Sequence, residues 1–251
     1  MADLSNRKLA DQAGALAIGR LLAVLSESLV MLALVRLMGK AEVGALSAIL
    51  LVYQTSVLLG QLGYPSAVMY FLPGRPLAER RAITWALLRA LFGVGALTSL
   101  VLAGIAGYTW WQTPTVAAGS LVYLLFLVPL PLLDLPTRLL PNLLVAEHRV
   151  RTSAAMGIFK ALSGTLSILL PIALGAELPV VAACMVASGA LYLLVSLKLI
   201  AGLFDGAERV PSPVGQLELW RFSFPLGLTS VTSIINNRID RYLILGTYTA
   251  A

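Results

Sequence analysis

The chain is poor in the residues on which soluble proteins and enzymes depend. Only 12% of its 251 residues are charged, about half the share of a soluble domain, so a water-exposed globule of this length is excluded. Its single cysteine, Cys184, lies in an apolar run, which leaves neither a disulfide framework nor a cysteine-based metal site. Its single histidine, His148, sits in the polar turn Glu147-His148-Arg149-Val150-Arg151. No His/Cys/Asp cluster with metal spacing and no nucleophile-base pair accompanies it, so neither a cofactor nor catalysis is expected. Period-2 alternation is missing too, which argues against a membrane barrel. A net charge of +6 brings no dense run of cations, and nucleic acid is not expected as a partner. The polar start, residues 1–14, leads into an apolar run too long for a signal-peptide core, so no cleaved signal is expected.

What is present is apolar: 59% of residues are hydrophobic and the mean hydropathy is +0.88. Lipid offers backbone amides no partners, so continuous apolar runs of about twenty residues must be helices. About seven such spans are expected: Ala15 to Met38, Ala45 to Leu62, Ile83 to Tyr108, Val116 to Thr137, Ala154 to Leu174, Pro179 to Phe204, and a last one from Phe222. The fold class is therefore an all-α polytopic membrane protein. Trp85 near the start of the third span and Tyr108, Trp110 and Trp111 near its end fit aromatic belts at the two interfaces. Pro129, Pro131 and Pro136 predict a kinked fourth span. The longest polar connection, Asp205 to Arg221, holds Pro211 and Pro213 and marks a boundary.

Basic residues fall mostly on alternate connections. One side collects Arg7, Lys8, Arg75, Arg80, Arg81, Arg149, Arg151, Lys198, Arg209 and Arg221, and the other only Arg36 and Lys40. This asymmetry predicts a cytoplasmic N-terminus.

Charges inside the spans need an explanation, because each costs about 3 kcal/mol or more near the bilayer centre. Glu27 lies mid-span and is read as functional. Arg20, one or two turns from the cytoplasmic end, either snorkels to the headgroups or faces the same interior as Glu27. In the seventh span Asn236, Asn237, Arg238, Asp240 and Arg241 form either a packing clamp at the outer membrane edge or a set of donors suited to sugar hydroxyls and phosphate. Asp134 and Arg138 are four apart and are expected to pair on one helix. Arg89 and Lys160 are expected to snorkel from cytoplasmic helix ends.

The string Leu34-Val35-Arg36-Leu37-Met38-Gly39-Lys40-Ala41-Glu42-Val43-Gly44-Ala45-Leu46, followed by Gly60-Gln61-Leu62-Gly63-Tyr64-Pro65-Ser66-Ala67 and Tyr70-Phe71-Leu72-Pro73, resembles the first helical hairpin of bacterial polysaccharide and O-antigen flippases. These belong to the multidrug, oligosaccharidyl-lipid and polysaccharide exporter superfamily. Ala146-Glu147-His148-Arg149, and Pro225-Leu226 with Asn236 to Arg241, extend the resemblance over nearly the whole chain. It implies two six-helix lobes around a central cavity, of which this sequence holds residues 1–204 as an N-terminal six-helix lobe, 205–221 as a cytoplasmic linker, and 222–251 as the first helix of an incomplete second lobe. It implies translocation of a polyprenyl-diphosphate-linked oligosaccharide across the cytoplasmic, or inner, membrane, with Arg20, Glu27, Asn236, Asn237, Arg238, Asp240 and Arg241 facing the cavity. The partners expected are that lipid-linked substrate, the bilayer, and the missing C-terminal half or another copy of the chain. A multidrug or cation antiporter of the same superfamily is the alternative within transport; a membrane-embedded sugar polymerase or acyltransferase is the alternative outside it.

Overall fold

A computed structural model describes residues 32–112 and 123–229, with the single positions 14, 17, 21, 24, 25, 28, 30 and 232 beside them. All regular structure among the described residues is helical. Four stretches there are long and apolar enough to cross a membrane: Glu42–Phe71, Leu77–Tyr108, Val150–Ala173 and Leu178–Leu203. The chain is thus an all-α polytopic membrane protein.

Helix α1, Lys40–Gly60, starts at Gly39, whose backbone N–H donates to the Glu42 carboxylate at 3.1 Å. That acid also complements the positive end of the helix dipole. The turn after α1 carries Leu62 at φ 43° and Gly63 at φ 73°. The chain then re-enters a short helix, α2, Tyr64–Phe71, with Pro65 in its first turn, where a missing N–H leaves no helix bond unmade. The break Leu72-Pro73-Gly74-Arg75-Pro76 separates it from α3, Leu77–Gln112.

With 36 residues α3 is about 54 Å long and outreaches a hydrocarbon core of about 30 Å. The sequence expectation of a start at Ile83 is corrected by about a turn and a half. Glu79, Arg80 and Arg81 read as loop because they are polar, yet they are good helix formers and carry the helix into the headgroup region. Glu79 pairs with Arg75 at 3.0 Å, and Arg80 reaches both carboxylate oxygens of Glu147 at 2.8 Å. Arg81 donates to the backbone carbonyl of Ala207. These contacts bring the polar connections near residues 75–81, 147–149 and 204–209 to one end of the bundle, as the basic-residue count required.

The fourth span is broken, not merely kinked. It runs as α4, Tyr123–Leu127, α5, Pro129–Thr137, and α6, Leu139–Ala146, and so continues past the expected end at Thr137. Pro129 and Pro131 cannot donate backbone bonds, and Arg138 N–H turns back to Leu135 and Pro136 where a regular helix would bond four residues away. A broken helix is tolerated in a bilayer only where neighbours cover it, and α5 is covered on three sides. A Cβ at Gly95 of α3 would stand 3.0 Å from Leu132 Cα and from the Pro131 carbonyl, one at Gly60 of α1 would meet Leu135 at 2.9 Å, and one at Gly189 would meet Leu130 at 3.2 Å. Small residues let helix backbones approach where lipid supplies no hydrophobic drive.

Helices α7, Val150–Ala173, and α8, Leu178–Leu203, form the next hairpin; they start and end within a few residues of the expected limits, 154–174 and 179–204. Within the expected linker, 205–221, the chain is helical again from residue 216, in α9, residues 216–229. Val214 and Leu219 are buried in the same core as Tyr64, Phe71, Ile83 and Leu87. Phe222 stacks on Tyr70 with ring centres 4.4 Å apart. The polar connection read as a boundary therefore carries apolar anchors into the bundle.

Candidate functional site

Three charges meet inside the bundle. Asp134 of α5 accepts from Arg138 Nε at 3.1 Å and Nη2 at 2.8 Å on one carboxylate oxygen, and from Lys160 Nζ of α7 on the other. The Thr137 hydroxyl donates to the Asp134 backbone carbonyl at 2.7 Å and accepts from Lys160 at 3.2 Å. Tyr192 of α8 lies under the ammonium, 5.0 Å from ring centre to Nζ, and packs on Phe159 with centroids 6.0 Å apart. Tyr53 of α1 stands against the same carboxylate.

Local sequence explains each placement. Arg138 lies one turn beyond Asp134, and the break after Thr137 swings its guanidinium back over the acid. Lys160 is the single charge between Thr152 and Ala173, about 15 Å from the start of a helix about 36 Å long. At that depth the side chain cannot easily reach water, so it turns to the acid across the helix gap. The snorkelling expected of Lys160 is therefore corrected. The local Asp134–Arg138 pair forms as expected but is two-thirds of a larger network.

The geometry is asymmetric. The Asp134 side chain is 10% exposed, whereas those of Arg138 and Lys160 are 37% and 35% exposed. One acid thus holds two cations at depth, and the three groups together carry one positive charge in surplus. Arg138 presents a planar fork and Lys160 a point charge, a combination suited to phosphate oxygens.

Arg20, Glu27, Asn236, Asn237, Arg238, Asp240 and Arg241 lie outside the described residues. Sequence reading missed Lys160, Thr137 and Tyr192. The usable signal was the isolation of Lys160 in a long uncharged stretch; nothing in the sequence announced that its partner would be Asp134, 26 residues earlier on another helix.

A helical membrane protein with charges held at depth is, by default, one that handles a polar solute or ion. The profile of the family described as polysaccharide biosynthesis protein matches residues 9–251. The chain belongs to that family, with a polysaccharide-related transporter role. No curated protein and no solved structure matches it.

Proposed function

We propose that the protein moves a lipid-linked oligosaccharide precursor, carried on a polyprenyl diphosphate, across the cytoplasmic membrane by alternating access, with its N-terminus in the cytoplasm. The observation that carries this reading is the surplus positive charge of the Asp134–Arg138–Lys160 network, held inside the bundle where two cations share one acid. A diphosphate needs cations and donors to leave water, and an acid behind them keeps the binding reversible. Arg20, Glu27, Asn236, Asn237, Arg238, Asp240 and Arg241 would extend the same polar lining. The antiporter alternative is less well supported, because Asp134 already carries two cations and is poorly placed to take up a transported one. Transport and not catalysis is proposed, since the Thr137 hydroxyl is committed to Asp134 and Lys160.

The test is Lys160→Met, which removes the surplus charge and leaves the Asp134–Arg138 pair. In cells depending on this protein, export of the polymer should fall about tenfold or more, the effect of losing one charge-assisted contact, at normal protein level, and Lys160→Arg should restore part of it. Normal export by Lys160→Met, or a loss matched by loss of folded protein, would reject the reading in favour of a packing clamp.

A further inference from the structure

A second group of cations sits at the polar end of the bundle, apart from the interior network. A cavity of about 330 Å³ lies between α3 and the segment before α9; Arg81, Trp85, Arg89, Glu208, Arg209 and Ser212 are among its walls. Its frame is fixed at both ends. Arg81 holds the Ala207 carbonyl, and the Gln216 side-chain amide donates to the Ala86 carbonyl at 3.3 Å. Pro211 and Pro213 stiffen the strand between them.

The cations here lack the ion pairs that hold four others in the bundle. Arg75, Arg80, Arg138 and Lys160 are each ion-paired, whereas among the described residues Arg81, Arg89 and Arg209 have no carboxylate within salt-bridge distance. Arg89 gives only its Nε to the Trp85 carbonyl, at 3.3 Å. Against the single acid Glu208, three arginines leave an excess of two positive charges around one cavity. Arg81, Trp85 and Arg89 recur every four residues and so share one face of α3 over about 12 Å.

That face does not end at Arg89. It continues through Gly93, Ala96, Leu100 and Gly104, all exposed, and a Cβ at Gly93 or Gly104 would touch nothing within 4 Å. From Ala90 to Tyr108 no residue is charged. This stretch is about 28 Å long, the thickness of a hydrocarbon core, so Arg81, Trp85, Arg89 and Arg209 stand at headgroup level. A basic, tryptophan-bearing cavity thus adjoins an exposed apolar face of α3 that runs down the membrane, on which Gly93 and Gly104 leave a shallow groove.

We propose that this cavity binds the phosphate headgroup of an anionic phospholipid, whose acyl chain lies along the Gly93–Gly104 groove of α3. The arginines supply forked contacts to phosphate oxygens, Trp85 packs at the glycerol level, and Glu208 limits affinity so that the lipid exchanges. The site is lateral and separate from the Asp134 network, so it serves as a point where membrane composition acts on the bundle. A phosphate group alone could also come from free anion in the cytoplasm, but the groove gives reason to expect a chain attached to it.

The experiment uses the full chain in detergent micelles, with Trp110, Trp111 and Trp220 changed to Phe so that Trp85 is the sole fluorophore. Brominated phosphatidylglycerol should quench Trp85 at several-fold lower concentration than brominated phosphatidylcholine. Arg89→Gln and Arg209→Gln should each cut that preference about fivefold, with Arg89→Lys retaining much of it, and Glu208→Gln should strengthen it. These variants leave Arg81 and its structural bond intact. Equal quenching by the two lipids would overturn the proposal, as would an absence of quenching by either, which would mean that protein covers the groove. Inorganic phosphate that raises the thermal midpoint as much as phosphatidylglycerol does would assign the cavity to a free anion and would also overturn it.

Discussion

Among the described residues, two places join distant helices through a cation and a carboxylate, and they differ in depth and in balance. At the polar rim Arg80 of α3 meets Glu147 just beyond α6, one charge against one, with both acceptor oxygens on a single guanidinium nitrogen. In the interior Asp134 faces two cations from two helices. The rim pair balances one charge against one and leaves no charge in surplus. The interior network is complete for the acid but not for the cations, and only such an unbalanced arrangement leaves charge available to a ligand. Counting charges in a bundle is therefore less informative than asking, for each acid, how many cations depend on it.

The largest effect should come from the acid. Asp134→Ala leaves Arg138 and Lys160 without their counter-ion and is expected to cost about 3–5 kcal/mol, read as a collapse of the thermal midpoint and of folded protein in the membrane. The triple change Asp134→Leu, Arg138→Met and Lys160→Met should recover stability, since an apolar cluster of similar volume replaces a buried network at little or no cost, yet it should not recover export. If the triple variant exports, the interior and the rim do the same structural job and the comparison is wrong.

A smaller effect belongs to the rim. A double-mutant cycle of Arg80→Ala and Glu147→Ala should give a coupling of up to about 1 kcal/mol, with export following the amount of folded protein and no further loss. A coupling as large as that of the interior network would show that depth does not separate the two. Smallest of all, Tyr192→Phe should change the midpoint by a few tenths of a kcal/mol, because the ring under Lys160 remains, whereas Tyr192→Leu should lose about 0.5–1 kcal/mol of cation–π attraction. Equal effects would mean that the hydroxyl, not the ring face, supports the ammonium.

Much of the fold was legible because lipid simplifies the rules. Uninterrupted apolar length marked α1, α3, α7 and α8, and the prolines at 129, 131 and 136 marked the break in the fourth span. Polar residues misled at the ends. Glu79 to Arg81 and Gln216 to Arg221 were assigned to connections, although helices running into the headgroup layer carry such residues on their exposed faces. The interior network was half legible. A four-residue spacing revealed Asp134 with Arg138, but the third member depends on how α7 is rotated against α5, and no local pattern encodes that rotation.

The turn after α1 and the last described helix are fitted to each other almost backbone to backbone, with the Leu226 Cβ of the helix against Gly63. A Cβ at Gly63 would strike the Ser223 carbonyl at 2.5 Å, and one at Gly227 would strike Leu62 Cα at 2.8 Å. During synthesis these two glycines leave the ribosome 164 residues apart, which at about 5–20 residues per second is a wait of about 8–30 s. Through that interval the first hairpin must hold its left-handed turn in the bilayer with no partner against it. The step that closes the bundle is therefore late, and a nascent chain stalled before Ser223 would expose to the membrane's quality-control proteases a bare backbone notch that the finished protein hides.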